Sequence, residues 1–496
     1  MQSPPAATAA SARRGRRVGV SADSESYRWW ALSCTSLGML LAATNSGTLI
    51  IALPDVERSL HTSLLVLVWV ILAYMIASTV LVLTAGRLSD LFGRKTAYVS
   101  GFVVFAAASL GAGFAGNGDQ LILWRVLQGI GSSFLFANAA ALVTDAFPRE
   151  QLGFAMGANT MVAAIGLVLG PVLGGALVAI SWQWVFWFNV PFALGGAAWG
   201  ALVLHELANP DEVRGFDVAG TVAFVTGLTA LVLAVSRGGL SGWTDTIVLV
   251  CFALAAVLLP LWVAIERRGR APMLDLTLFS NRLFAAASVA SFINGLARFA
   301  LMFIFVFYFQ GAQGNSAITA GLKLMPLAIG MLIASPIAGR YCDRHGSRGL
   351  AALGMLVTAA GLALMTTLGV HSAFIFSGLT LAVVGVGSGM FMSPNTAAMM
   401  GSVPAHRRGI AAGARVVLQN TGAVLSIAFV LAVVTAAIPR ATLFAIFSGV
   451  SRGLTAAKLD PFITNMHTAL WALAAAAIVG ALVSLMRPKH AAVEQG

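Results

Sequence analysis

Four basic side chains fall inside long apolar runs: Arg125, Arg298, Lys323 and Arg415. A charge at membrane depth is expensive, so each is a candidate for function before it is a candidate for packing. None of the 18 acidic residues lies in the middle third of any such run. The chemistry on offer is electrostatic: attracting, repelling or relaying charge inside a membrane. No phosphate-cradling Gly-x-x-x-x-Gly-Lys-Ser/Thr loop, metal-spaced cluster or nucleophile–base pair is visible, so neither an enzyme nor a cofactor is expected. Arg298 stands near the centre of the run 283–309, where its own helix offers no easy route to water. It reads as facing a central cavity, with pairing to polar groups as the structural alternative. Arg125 lies one to two turns into its run. Arg415 and Lys323 lie nearer the ends of theirs and read as snorkelling or interface residues.

A second charged feature lies between two apolar runs, at Gly86-Arg87-Leu88-Ser89-Asp90-Leu91-Phe92-Gly93-Arg94-Lys95. Its glycines permit a sharp turn and close packing, and Asp90 and Arg94 can pair with each other or with helix ends. The design returns at Gly339-Arg340-Tyr341-Cys342-Asp343-Arg344-His345-Gly346-Ser347-Arg348. An offset of 253 superposes Gly86 on Gly339, Arg87 on Arg340, Asp90 on Asp343 and Gly93 on Gly346, which makes this an internal repeat.

The elements that position these residues are membrane helices. The chain has 496 residues, 58% hydrophobic and 10% charged, against about 25% charged in soluble proteins. With a mean hydropathy of +0.88 it reads as an all-α polytopic membrane protein. The apolar runs give fourteen expected spans: 31–53, 65–85, 97–115, 121–143, 153–180, 184–204, 218–236, 246–265, 283–309, 318–338, 349–369, 373–400, 410–437 and 467–486. With both termini in the cytoplasm, 21 Lys and Arg fall in cytoplasmic segments and five in external ones. This asymmetry fixes the orientation. It also explains the net charge of +12 better than nucleic-acid binding would.

The two charged turns are eight spans apart rather than six. Two six-helix halves separated by two inserted helices give that spacing. The expected organisation is a basic N-terminal tail at 1–27, a first bundle at 28–206, two linker helices within 207–282, a second bundle at 283–487 and a tail at 488–496. The arginine-rich tail should be disordered and hold the first helix cytoplasm-in, a transit peptide or twin-arginine signal being the alternative. The external stretch Ile438–Asn465 is the longest outer loop, and Phe444, Ile446 and Phe447 suggest a short amphipathic helix there.

Five motifs in order resemble the major facilitator superfamily, in its fourteen-helix drug:proton antiporter branch. The Gly86–Lys95 turn is similar to the signature loop. Leu123-x-Arg125-x-x-Gln128-Gly129-x-Gly131 is similar to the second motif, and Gly166-x-x-x-Gly170-Pro171-x-x-Gly174-Gly175 to the antiporter motif. Trp182-Gln183 through Pro191 resembles the start of the sixth helix, with Gln183 where an arginine is usual. Ser393-Pro394-Asn395 and Arg408-Gly409-x-Ala411-x-Gly413 follow late in the chain. The glycines 166, 170 and 174 share one helix face, suiting close helix contact, and Pro171 should bend the helix.

The resemblance implies the major facilitator fold and roles for particular residues. Asp90, Gly93, Arg94 and Asp145, with Gly86 and the repeat's Gly339, Asp343 and Gly346, form the conformational latch. Arg125 takes part in proton coupling. The branch carries an aspartate in its first helix where this chain has Asn45, in Thr44-Asn45-Ser46-Gly47-Thr48. Coupling would then run through peripheral acids, Asp55, Glu57 or Asp145, or be weak. Arg298, Asn294, Trp69, Tyr74, Asn138, Asn159, Phe303, Phe307, Tyr308, Gln310, Asn395, Gln419 and Asn420 are candidates to line the cavity. A cavity with Arg298 and Arg125 and no carboxylate disfavours lipophilic dications and favours neutral, anionic or zwitterionic amphiphiles.

The expected function is secondary active export of an amphipathic small molecule by alternating access, coupled to protons. The expected setting is the plasma or inner membrane, as a monomer in the lipid bilayer without nucleic acid. A lipid or nutrient carrier or uniporter on the same fold is the alternative. A quinone-linked proton-pumping subunit would need buried lysines and glutamates that are missing, and a receptor would not need both charged turns.

Overall fold

The computed structural model describes residues 24, 26–62, 64–206, 217–269, 274, 276–315, 317–404, 407–435 and 456–488. The expected outer amphipathic helix lies outside them. Helices account for every expected run. The first part of the chain holds α1 (Tyr27–Leu60), α2 (Leu64–Val80), α3 (Val82–Phe92), α4 (Arg94–Gly113), α5 (Gly118–Ala146), α6 (Leu152–Val178), α7 (Trp184–Trp187) and α8 (Asn189–Val203). Then come α9 (Val218–Ser241) and α10 (Thr246–Arg268). The last part holds α11 (Arg282–Phe307), α12 (Ala317–Lys323), α13 (Met325–His345), α14 (Ser347–Met365), α15 (Phe374–Gly401), α16 (Arg408–Thr435) and α17 (Ala456–Leu485). Among the described residues, ten helices are long and apolar enough to cross a membrane, or eleven with the pair α2–α3, which is bent by 45°.

Neighbours repeat between the two parts. In the first, α1 packs on α6, and α5 on α2 and α4, with α4 also against α8. In the second, α11 packs on α16, and α15 on α13 and α14, with α14 also against α17. The halves meet where α6 packs on α13 and α15, and where α16 packs on α3 and α5. The linker helices α9 and α10 form a hairpin, and α9 rests on both α2 and α16. An apolar cluster runs across this seam through Val82, Leu83, Leu228, Ile410 and Val417.

Both charged turns fold alike. Gly93 ends α3 at φ 98° and Gly346 ends α13 at φ 83°, a backbone region that L side chains resist. Each glycine donates its N–H to the carbonyl four residues back, Ser89 or Cys342, and the next helix starts at the following residue. The glycine face of α6 also does what its spacing suggests. A Cβ on Gly170 would lie 2.9 Å from the Cα of Gly47 on α1, and one on Gly174 would lie 2.8 Å from the Thr48 carbonyl.

Two boundaries differ from expectation. α1 runs on to Leu60, so Asp55, Glu57 and Arg58 sit on a helix rather than in a loop. The last helix begins at Ala456, eleven residues before the apolar run starts, because its first turns bury Phe462 and Ile463 against the second bundle. Residues 456–465, Lys458 among them, are therefore helical rather than outer loop.

Candidate functional site

At one end of the bundles, α3, α4 and α5 meet the start of α16. Arg94, 1% exposed, donates through Nε and Nη2 to Asp90 Oδ1 at 3.2 and 2.9 Å, and through Nη1 to Asp145. The other Asp145 oxygen accepts Arg408 Nη1 at 2.9 Å, from the opposite half. Asp90 Oδ2 accepts the N–H of Ile410 at 3.3 Å, in the first turn of α16. Glu206 caps the next helix, accepting the N–H groups of Arg94 and Lys95 at 2.8 and 3.0 Å.

The repeat builds the mirror contact with fewer charges. Asp343 accepts the N–H groups of Gly153 and Phe154 at 2.7 and 3.0 Å, in the first turn of α6. Ser393 Oγ donates to the Gly153 carbonyl at 2.9 Å, and the Arg340 guanidinium lies 4.6 Å from the Phe154 ring centre. A Cβ on Gly153 would stand 2.5 Å from the Gly339 carbonyl oxygen, so glycine at both positions lets the helices touch. Each aspartate thus sits on the positive end of a helix from the other half. The position matching Arg94 in the repeat is Ser347, which leaves Asp343 without a buried cation of that kind. Together these contacts join the two halves at one end of the bundles.

Deeper in the first bundle, Arg125 is fully buried on α5. Its Nε donates to the Val70 carbonyl at 3.1 Å, and its Nη1 to Gln128 and to Asn45 Oδ1, the latter at 3.4 Å. Gln128 Nε2 donates to Asn45 Oδ1 at 3.2 Å and to Ser109 Oγ at 2.8 Å. The Tyr74 ring lies 4.3 Å from the guanidinium, with its hydroxyl 2.9 Å from Ser132 Oγ. The arginine is held by neutral dipoles and a π face, a favourable pairing away from water. Asn45 stands at the centre, with its Nδ2 left without a partner.

The other sequence candidates divide by position. Asp55 pairs with Arg58 at 2.7 Å on the outer surface of α1, and Glu57 is exposed, so neither joins the Arg125 cluster. Asn138 ties Ser89 to its own helix, with 2.7 Å to Ser89 Oγ. Asn159 accepts from Ser36 at 3.5 Å, and Asn294 faces Met355 Sδ at 3.8 Å with its oxygen unpartnered. Tyr308 donates to the Gly369 carbonyl at 2.8 Å, and Trp69 is half-buried against the seam cluster. Asn420 donates to Thr79 Oγ1 at 3.0 Å, joining the halves. Gly175 is half-buried on α6; the side chains of Pro171, Phe303, Phe307 and Gln310 lie outside those described.

Three further basic side chains have defined partners. Arg415 is half-buried on α16, with Nη1 3.1 Å from Gln419 Oε1 one turn on. Lys323 is half-buried, donating to Gln313 at 3.1 Å between the rings of Phe309 and Phe374. Arg487, the last residue of the expected second bundle, is 1% exposed. It donates to Asn395, which in turn donates to Ser291 Oγ at 2.8 Å. Being just past an apolar run is the same signal that marks any interface arginine, so its burial could not be read from the sequence.

The Major Facilitator Superfamily family model matches residues 35–427 and 287–494. The multidrug transporter protein MdtP of Bacillus subtilis (strain 168) is 30% identical over 414 residues, covering 83% of this chain and 76% of that protein. The multidrug resistance protein Stp of Mycobacterium tuberculosis (strain CDC 1551 / Oshkosh) is 33% identical over 423 residues, covering 83% and 76%. The riboflavin transporter RibZ of Clostridioides difficile (strain 630) is 26% identical over 404 residues, covering 81% and 87%. Among solved structures, the proton:xylose symporter XylE superposes with a TM-score of 0.64 at 14% identity, covering 92% of this chain and 95% of that one.

Proposed function

The chain belongs to the major facilitator superfamily, and from that premise we propose that it is a secondary active exporter of amphipathic small molecules. It works by alternating access of two six-helix bundles, with the α9–α10 hairpin as an inserted pair that completes fourteen spans. It lies in the plasma or inner membrane as a monomer, both termini cytoplasmic. The observation that carries this reading is the pair of cross-half contacts, Asp90 on α16 and Asp343 on α6. Both must break for the cytoplasmic side to open, and both can re-form as units because each is a helix end meeting one side chain. The names of MdtP and Stp favour drugs or toxins as cargo.

Protons drive the cycle in this reading. The Arg125 cluster holds no carboxylate, since Asn45 and Gln128 fill the acceptor positions. Coupling therefore runs through the acids of the gate, of which Asp145 holds both Arg94 and Arg408. The test is purified protein in liposomes containing a pH-sensitive dye, under an imposed pH gradient, with cationic and anionic amphiphiles added. Substrate-dependent proton flux is expected, reduced in D145N. Substrate movement without proton flux would sink the antiporter assignment and support the second reading, a nutrient carrier or uniporter. That second reading is favoured by Asn45 and by the likeness to RibZ.

A further inference from the structure

A groove of about 410 Å³ runs along the surface of the first bundle, between α4 and the last turn of α8. Lys95, Val99 and Val103 form one row of its wall and Thr96, Ser100 and Val104 the next, with Ala201 of α8 opposite. Residues four apart stack on one face of a helix, so the two rows lie side by side. Along them the wall passes from one ammonium and two hydroxyls to valines alone. Thr96, Ser100, Val103 and Ala201 are exposed, so the groove opens outward rather than into the bundle.

The groove has the depth of one bilayer leaflet. α4 is long and apolar enough to cross the membrane, and Lys95 is its second residue. From Lys95 to Val104 the helix rises about 14 Å, close to half of a hydrocarbon core about 30 Å thick. Its polar end therefore stands at the level of the lipid headgroups and its valine end among the acyl chains. The ammonium at the polar end is held in place. Ala201 lies in the last turn of α8, where carbonyls lack a partner within the helix, and Lys95 Nζ donates to its oxygen at 2.8 Å. Glu206 accepts the backbone N–H groups of Arg94 and Lys95, so its charge answers the positive start of α4. None of the residues lining the groove is acidic.

We propose that this groove binds an anionic phospholipid, with an acyl chain against Val99, Val103 and Val104 and the phosphate on Lys95. A trough open along its length to the bilayer suits a chain, and its single fixed cation suits a headgroup of net negative charge. A zwitterionic headgroup carries its own cation, which offsets the attraction. Thr96, exposed beside Lys95, adds a hydroxyl that can donate to the same phosphate. The lipid is a resident of the outer wall, not cargo, so the proposal does not depend on what the protein transports.

The experiment is native mass spectrometry of the purified full chain, titrated with dioleoyl phosphatidylglycerol or dioleoyl phosphatidylcholine. The wild type should hold its first phosphatidylglycerol about tenfold tighter than phosphatidylcholine, the scale of one charge-assisted hydrogen bond. K95Q should bring that ratio to about one, and K95R, which keeps the charge, should retain the preference. S100F should fill the groove and weaken both lipids without touching the charge. Unfolding temperatures show which variants are folded; should K95Q fail to fold, S100F tests the groove separately. Inorganic phosphate alone should not displace the lipid, because it lacks the chain. Equal affinity of the wild type for the two lipids, a preference surviving in K95Q, binding unchanged in S100F, or displacement by inorganic phosphate overturns the proposal.

Discussion

Asp145 and Arg408 join the two halves at 2.9 Å, and the same carboxylate holds Arg94, 51 positions earlier in the chain. One buried acid thus serves two arginines, with side-chain exposure of 8% for Asp145 and 1% for Arg94. Breaking a buried pair by removing one partner leaves a charge uncompensated, at about 3–5 kcal/mol. D145N should therefore open the cytoplasmic side. Distances between spin labels on the cytoplasmic ends of α5 and α16 should lengthen and broaden; an unchanged distribution would show that the pair does not hold the gate.

The two copies of the turn predict unequal sensitivity. Asp90 offsets the buried Arg94 and also takes the Ile410 amide, whereas Asp343 takes only the amides of Gly153 and Phe154. Asparagine can still accept an N–H, so D343N should shift the gate by about 1 kcal/mol. D90N removes a charge from a buried arginine and should shift it by about 3 kcal/mol. Thermal unfolding and label distances for the two variants would rank them. A larger effect from D343N would contradict the asymmetry.

Asn45 is a direct test of coupling. Its Oδ1 already accepts from Arg125 and Gln128, so N45D places a carboxylate among existing donors with no change of shape. The variant gains a group that can bind and release a proton beside a buried guanidinium. Substrate-dependent proton flux in dye-loaded liposomes should rise above wild type. No rise would mean that the acid missing from this helix is not what limits coupling.

The glycine face of α6 is a packing prediction. Substituting Gly170 by Val forces side-chain atoms into the backbone of Gly47 on α1, where even a Cβ would be at 2.9 Å. Overpacking of this kind costs about 1–3 kcal/mol. G170V should lower the unfolding temperature and slow transport. Gly195, beside which a Cβ would meet nothing within 4 Å, should accept Ala with little effect.

Much was legible in the residues alone. Apolar runs of membrane length allow only helices, because a backbone in lipid has to satisfy its own hydrogen bonds. The turns at Gly93 and Gly346 were marked by glycine, the residue that adopts positive φ without strain. The glycine stripe of α6 announced a close neighbour. These are properties of one helix at a time, set by local geometry and by the cost of placing each side chain in lipid.

Tertiary structure decided the partners. Asp90 meets Ile410, Asp343 meets Gly153 and Asp145 meets Arg408 across 320, 190 and 263 positions. Arg487 donates to Asn395 on α15, 92 positions earlier. Periodicity reports which face of a helix a residue occupies, but not which helix faces it. That choice is made by steric fit among surfaces far apart in the chain, as where Gly295 admits Gln419, and it exists only once the bundle is assembled.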